Sequence, residues 1–134
     1  MYQVKRGATT IWERWDALRP DGTVNESRMS NDNMVSFNHY AFGSVGEFYY
    51  RYILGIQPAE PGFARVRIRP IMDARLESVK GSYRSRAGEI AVSWKIQGER
   101  AALEVDTPVP AEVILPDGEV KQVPAGKYQY QQAL

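Results

Sequence analysis

The chain has 134 residues, no cysteine, 17 basic against 16 acidic residues and a formal net charge of +1. Its 43% apolar and 25% charged content suits one globular domain with a proper core and argues against disorder. Without cysteine there are no disulfides, thiolate metal ligands or thiol nucleophiles, and the evenly mixed charge points to neither nucleic acid nor an anionic membrane. No apolar run approaches a membrane span, and the first ten residues hold no signal-peptide core.

Taken in order, Thr9–Leu18 can form a helix capped by Thr9 or Thr10, with Ile11, Trp12 and Trp15 on one face. Arg19–Phe42 reads as a long loop rich in Asn, Asp, Ser and Gly, with Pro20-Asp21-Gly22 as a turn. A loop of that length within a compact domain is often functional. Its Asn25-Glu26-Ser27 fits a glycosylation sequon but is discounted for want of a eukaryotic secretory context. Ser44–Leu54 is the clearest helix: Ser44 and Glu47 have capping-box spacing, and Val45, Phe48, Tyr49, Tyr52 and Ile53 form an apolar stripe. Gly55 is placed to end it in the left-handed conformation.

Near residue 56 the pattern changes. Ile56–Gly62, with Pro58 and Pro61, reads as a connector. Short alternating runs follow at Phe63–Arg69, Leu76–Tyr83, Glu89–Ile96, Arg100–Val105, Ala111–Leu115 and Lys127–Gln131, separated by Gly and Pro turns. Their spacing predicts a mainly β fold, an antiparallel β-sandwich or jelly roll. The helical part, by contrast, is too small to bury Trp12, Trp15, Phe37, Tyr40, Phe42, Phe48, Tyr49, Tyr50 and Tyr52. With Tyr50 off the stripe, the helix expects neighbours on several sides, from a larger protein or a partner.

Two stretches carry a resemblance: Gly7-Ala8-Thr9-Thr10-Ile11-Trp12-Glu13-Arg14-Trp15-Asp16 and Ser36-Phe37-Asn38-His39-Tyr40-Ala41-Phe42-Gly43-Ser44-Val45-Gly46-Glu47. With Pro61-Gly62-Phe63, Val66–Pro70, Lys80–Tyr83 and Leu115–Gly118 in order behind them, the chain resembles the bacterial α-L-rhamnosidases of glycoside hydrolase family 78. The resemblance implies an (α/α)6-barrel catalytic domain followed by a C-terminal β-sandwich, and hydrolysis with inversion by two carboxyl groups ~6.5–9.5 Å apart. On that pattern residues 1–57 are the end of the barrel and residues 58–134 the sandwich. Glu13 matches the family's general base and His39 a sugar contact, while the general acid has no match in this chain. The expected function is that of the C-terminal part of an inverting α-L-rhamnosidase acting on rhamnose-containing carbohydrate, inert by itself. The alternative is a non-catalytic carbohydrate-binding or structural sandwich module, with Tyr83, Tyr128 and Tyr130 as its candidate platforms. The partners expected are the sugar and the remainder of the barrel; no cofactor is implied, and a cytoplasmic or secreted location is left open.

Each residue also has a plainer reading. A glutamate beside tryptophans is usually solvated or ion-paired; here Trp12 and Trp15 can desolvate Glu13, and Arg14 or a sugar hydroxyl can keep it ionised. His39 alone makes a poor metal site. Trp12, Trp15 and Tyr40 divide between sugar stacking and core packing. Asn38 and Asp16 can bind hydroxyls or simply cap and turn, with structure favoured. Trp94 reads as core, and Arg65, Arg67 and Arg69 as one strand face, solvated or set against an adjoining domain.

Overall fold

The computed structural model describes residues 2–25 and 35–133. Glu26 and Ser27 of the sequon and the middle of the long loop lie outside the described residues. Contacts divide the chain into two units, Met1–Gly46 and Glu47–Leu134.

The first unit has little regular structure. A single helical turn, α1 (Tyr2–Lys5), was not expected from the sequence; the Tyr2 hydroxyl donates to Leu18 O at 2.7 Å. The expected helix over Thr9–Leu18 does not form. Its backbone groups bond elsewhere: Glu13 N–H donates to Ser36 O, and Ile11 O accepts from His39 N–H, each at 2.8 Å. Helical propensity in a β-branched start (Thr9, Thr10, Ile11) is weak, and these tertiary bonds override it. The Pro20-Asp21-Gly22 turn does form, closed by Leu18 bridging Val24 and by Gly22 at φ +87°. The Thr23 amide and hydroxyl donate to Asp21, which holds that carboxyl below its usual pKa.

The helix predicted at Ser44 begins earlier, at α2 (Tyr40–Gly43), and continues through α3 (Val45–Phe48) into one π-helical turn, Tyr49–Ile53. Ser44 is therefore not a cap. Its own N–H already donates to Tyr40 O, and its hydroxyl turns back to Ala41 O at 2.7 Å. Glu47 pairs forward with Arg51 at 3.2 Å rather than reaching back. Gly55 ends the run as expected, with φ +75°.

The second unit is an eight-stranded sandwich. One sheet has the order β1 (Ile56–Pro58), β2 (Val66–Ile68), β6 (Ala111–Ile114), β7 (Val120–Val123); the other has β3 (Ser78–Ser85), β4 (Gly88–Gln97), β5 (Arg100–Thr107), β8 (Gly126–Ala133). All pairs are antiparallel except β2 and β6, which run parallel. Alternation decides the faces: Ile90, Val92 and Trp94 on β4 and Leu103 and Val105 on β5 are buried, as are Val66 and Ile68 on β2 and Ala111 and Val113 on β6. These form one core that also takes in Ile53 and Leu54. The Trp94 indole donates to Ile53 O at 2.8 Å, and Leu54 lies over Gly81, where a Cβ would meet its side chain at 2.6 Å.

Two strands were missed in sequence. Pro58 made Ile56–Pro58 read as connector, yet β1 is an edge strand, where a missing N–H is tolerated; β7 is a four-residue edge between Gly118 and Pro124. The predicted strand from Phe63 is shortened, because Pro61–Phe63 forms a 3-10 turn. The strand arginines are tied within their own sheet: Arg67 donates to Glu112 at 2.9 Å and Arg65 to Gln122. The three tyrosines considered as platforms share the inner register, Tyr83 opposite Ile90, Tyr128 opposite Val105 and Tyr130 opposite Leu103. The Tyr130 hydroxyl is buried without a partner among the described residues, and that desolvation raises its pKa.

Candidate functional site

The sequence placed Glu13 and His39 26 residues apart. Hydrogen bonds between two irregular segments, residues 10–13 and 36–39, tie together the stretches that carry them. Glu13 and Ser36 exchange two bonds: Glu13 N–H donates to Ser36 O, and Ser36 N–H donates to the Glu13 carboxylate at Oε2, each at 2.8 Å. Two residues before Glu13 and three after Ser36, His39 N–H donates to Ile11 O. One residue further back, the Thr10 hydroxyl donates to Phe37 O at 2.5 Å.

This frame fixes what the carboxylate can do. One oxygen, Oε2, is occupied by a backbone donor; among the described residues no other donor reaches the carboxylate. Glu13 is half-buried, and among the described residues its other oxygen has no hydrogen-bond donor. A carboxylate held by one oxygen and open at the other can orient a water and take its proton.

Arg14, one of the groups considered for keeping Glu13 ionised, does something else. It forks onto Asp16, with Nε and Nη2 within 3.2 Å of the carboxylate, and Asn25 Nδ2 donates to Asp16 at 2.7 Å. Asp16 therefore has the structural role favoured for it in sequence.

Trp12 is 6% exposed and packs edge-to-face on Phe37, with centroids 5.1 Å apart. Trp15 and Tyr40 are 75% and 88% exposed. His39 is half-buried, with the Phe42 ring 4.7 Å away, and starts α2 without its side chain capping that helix. Its imidazole is thus not consumed by the local structure. Asn38 is exposed, and its N–H donates to the Ser36 hydroxyl at 3.3 Å.

The sequence reading missed the holders, Thr10, Ser36 and Phe37. Nothing in spacing marks a pairing between segments more than 20 residues apart, since neither has the alternation of a strand. Among the described residues no three His, Asp or Glu side chains are grouped to hold a metal ion, and no helix is long and apolar enough to cross a membrane.

Comparison with known proteins gives a consistent set of relatives. Residues 55–129 match the family described as bacterial alpha-L-rhamnosidase C-terminal domain, and residues 1–53 match the bacterial alpha-L-rhamnosidase 6 hairpin glycosidase domain. An α-L-rhamnosidase of Formosa agariphila is 39% identical over 117 residues, 86% of this chain and 12% of that protein. The crystal structure of an Aspergillus terreus α-L-rhamnosidase aligns with a TM-score of 0.79 at 35% identity, covering 97% of this chain and 15% of that one. A Streptomyces avermitilis α-L-rhamnosidase, solved in complex with L-rhamnose, aligns with a TM-score of 0.77 at 32% identity, covering 98% and 14%. The chain thus spans less than a sixth of the length of these relatives.

Proposed function

The chain belongs to the bacterial α-L-rhamnosidase family, and on that premise we propose that it is the C-terminal portion of an inverting α-L-rhamnosidase. The N-terminal part belongs to the catalytic barrel, the sandwich follows it in sequence with its first strand at Ile56–Pro58 rather than from residue 58, and Glu13 is the general base. In this reading the Glu13 carboxylate takes a proton from water as the water oxygen bonds to the anomeric carbon. The glycosidic C–O bond breaks on the opposite face, and a carboxylic acid from elsewhere in the full enzyme protonates the departing oxygen. His39, Asn38, Trp12 and Trp15 are the proposed contacts to the rhamnose hydroxyls and ring.

The observation that carries the reading is the exchange of bonds between Glu13 and Ser36, which anchors one carboxylate oxygen on a segment that is also tied through Ile11 O to the backbone of His39, the only histidine in the chain. The exposed aromatics at Tyr40, Phe42, Phe48, Tyr49 and Tyr52 support a place against further barrel helices. For the sandwich we favour a structural role. Its core takes in Ile53 and Leu54 of the preceding helix, and Tyr130 packs against that core, although Tyr83 is 38% exposed.

The test is turnover of p-nitrophenyl α-L-rhamnoside. In the full-length enzyme Glu13→Gln should lower kcat by about 10³-fold or more, on the scale of losing an essential acid–base group, while the 134-residue chain alone should show no turnover. Near-normal kcat in the variant removes Glu13 as base; ordinary rates from the chain alone remove the need for an outside acid.

A further inference from the structure

We infer that Thr10 is a positioning residue for the reaction: its hydroxyl fixes the segment that holds Glu13. The inference rests on the assignment of Glu13 as base.

Four ties join residues 10–13 to residues 36–39. Two are the exchange between Glu13 and Ser36, and one is backbone to backbone, His39 N–H to Ile11 O. The fourth, from Thr10 Oγ1 to Phe37 O, is the one made by a side chain outside the proposed catalytic pair. It grips the carbonyl of the residue that follows Ser36, whose amide anchors Glu13. The opposite side of the same residue is held by the Phe37 ring against Trp12. Phe37 is thus pinned at both its carbonyl and its ring, and Ser36, Asn38 and His39 are carried by it.

The chemistry makes such pinning matter. An inverting base must sit a water's width from the anomeric carbon, and a misplacement of about 1 Å can lower the rate on the order of 10²-fold. With the hydroxyl removed, Phe37 O loses its partner and the Ser36 amide is free to shift along the Glu13 carboxylate. Of the proposed sugar contacts, His39 keeps its own backbone tie to Ile11 O when the hydroxyl is lost, so the loss falls more on kcat than on KM.

Thr10→Val keeps the branched shape and removes the donor; Thr10→Ser keeps the donor. In the full-length enzyme, with p-nitrophenyl α-L-rhamnoside, Thr10→Val should lower kcat roughly 10- to 100-fold with KM changed less than about 3-fold. Thr10→Ser should restore kcat to within about 3-fold of the parent. Unchanged kcat in Thr10→Val, in an enzyme that Glu13→Gln inactivates, overturns the inference while leaving the base in place. Equal loss in the Val and Ser variants overturns it too, as does a Thr10→Val loss matched by a fall in melting temperature, since both describe a merely structural threonine. Full activity in Glu13→Gln removes the base and the positioning role together.

Discussion

The two units of this chain are ordered by different means. In residues 47–133 an apolar core between two sheets does the work, and Ile68, Ile90, Val66 and Val113 are wholly buried. In the described part of residues 1–46 the buried apolar residues are Trp12 and Ala17, and the backbone is held mainly by cross-segment hydrogen bonds and the Arg14–Asp16–Asn25 cluster. Core burial sets a fold but tolerates small shifts in where a polar atom points. A hydrogen-bonded frame contributes little stability per bond, about 1 kcal/mol, yet it fixes atom positions. The candidate chemistry sits in the second kind of structure.

The contrast breaks most visibly through Trp94. This residue fills the centre of the sandwich core and its indole is the partner of Ile53 O. Trp94→Ala should destabilise the second unit by about 3–5 kcal/mol, read as a lowered urea midpoint by circular dichroism. A change under about 1 kcal/mol would mean that the sandwich is not core-dominated.

Gly55 tests the joint where helix passes into sheet. At φ +75° an added Cβ would lie 2.2 Å from the carbonyl carbon of Arg69 and the nitrogen of Pro70. Left-handed backbone alone costs roughly 1–2 kcal/mol in a residue with a side chain, and backbone atoms cannot move aside as a flexible side chain can. Gly55→Ala should therefore cost more than about 2 kcal/mol, seen as a drop in melting temperature. A neutral substitution would show that Arg69 N–H to Gly55 O does not fix the crossing.

How much of this was legible follows the same division. The sandwich strands announced themselves because burial on one face writes a period of two into Ile90, Val92, Trp94 and into Leu103, Val105. Edge strands such as β1 escaped because an edge tolerates proline. Gly55 was legible because a left-handed residue after a helix has a chemical signature. Thr9–Leu18 was misread because its apolar spacing mimics a helix, whereas the bonds that decide it come from Ser36 and His39. The Ser44–Glu47 capping box failed for a related reason: local spacing cannot tell that a helix has already started four residues upstream. Glu13 and His39 came from the family resemblance; their pairing frame did not, since it depends on contacts more than 20 residues apart.

The smallest effect sharpens the comparison by asking whether ion pairs matter in the core-dominated unit. Arg67 donates to Glu112 across β2 and β6 at 2.9 Å, and this hydrogen bond holds the Glu112 carboxyl below its usual pKa against the opposing desolvation, with the Arg67 charge adding to it. A carboxylate whose pKa falls on folding stabilises the fold at pH above its unfolded value of about 4.3. That contribution is lost as pH falls through the folded value. The Arg67 side chain is 43% exposed, so solvent screening keeps the pair under about 1 kcal/mol. Glu112→Gln should thus lower stability by less than about 1 kcal/mol at pH 7, and the difference from the parent should shrink toward zero as the parent's own carboxyl becomes protonated below about pH 4. Urea midpoints at the two pH values decide it. A gap that persists in acid would assign the effect to side-chain packing between β2 and β6, and a gap of several kcal/mol at pH 7 would place this surface pair alongside Trp94 in holding the sandwich together.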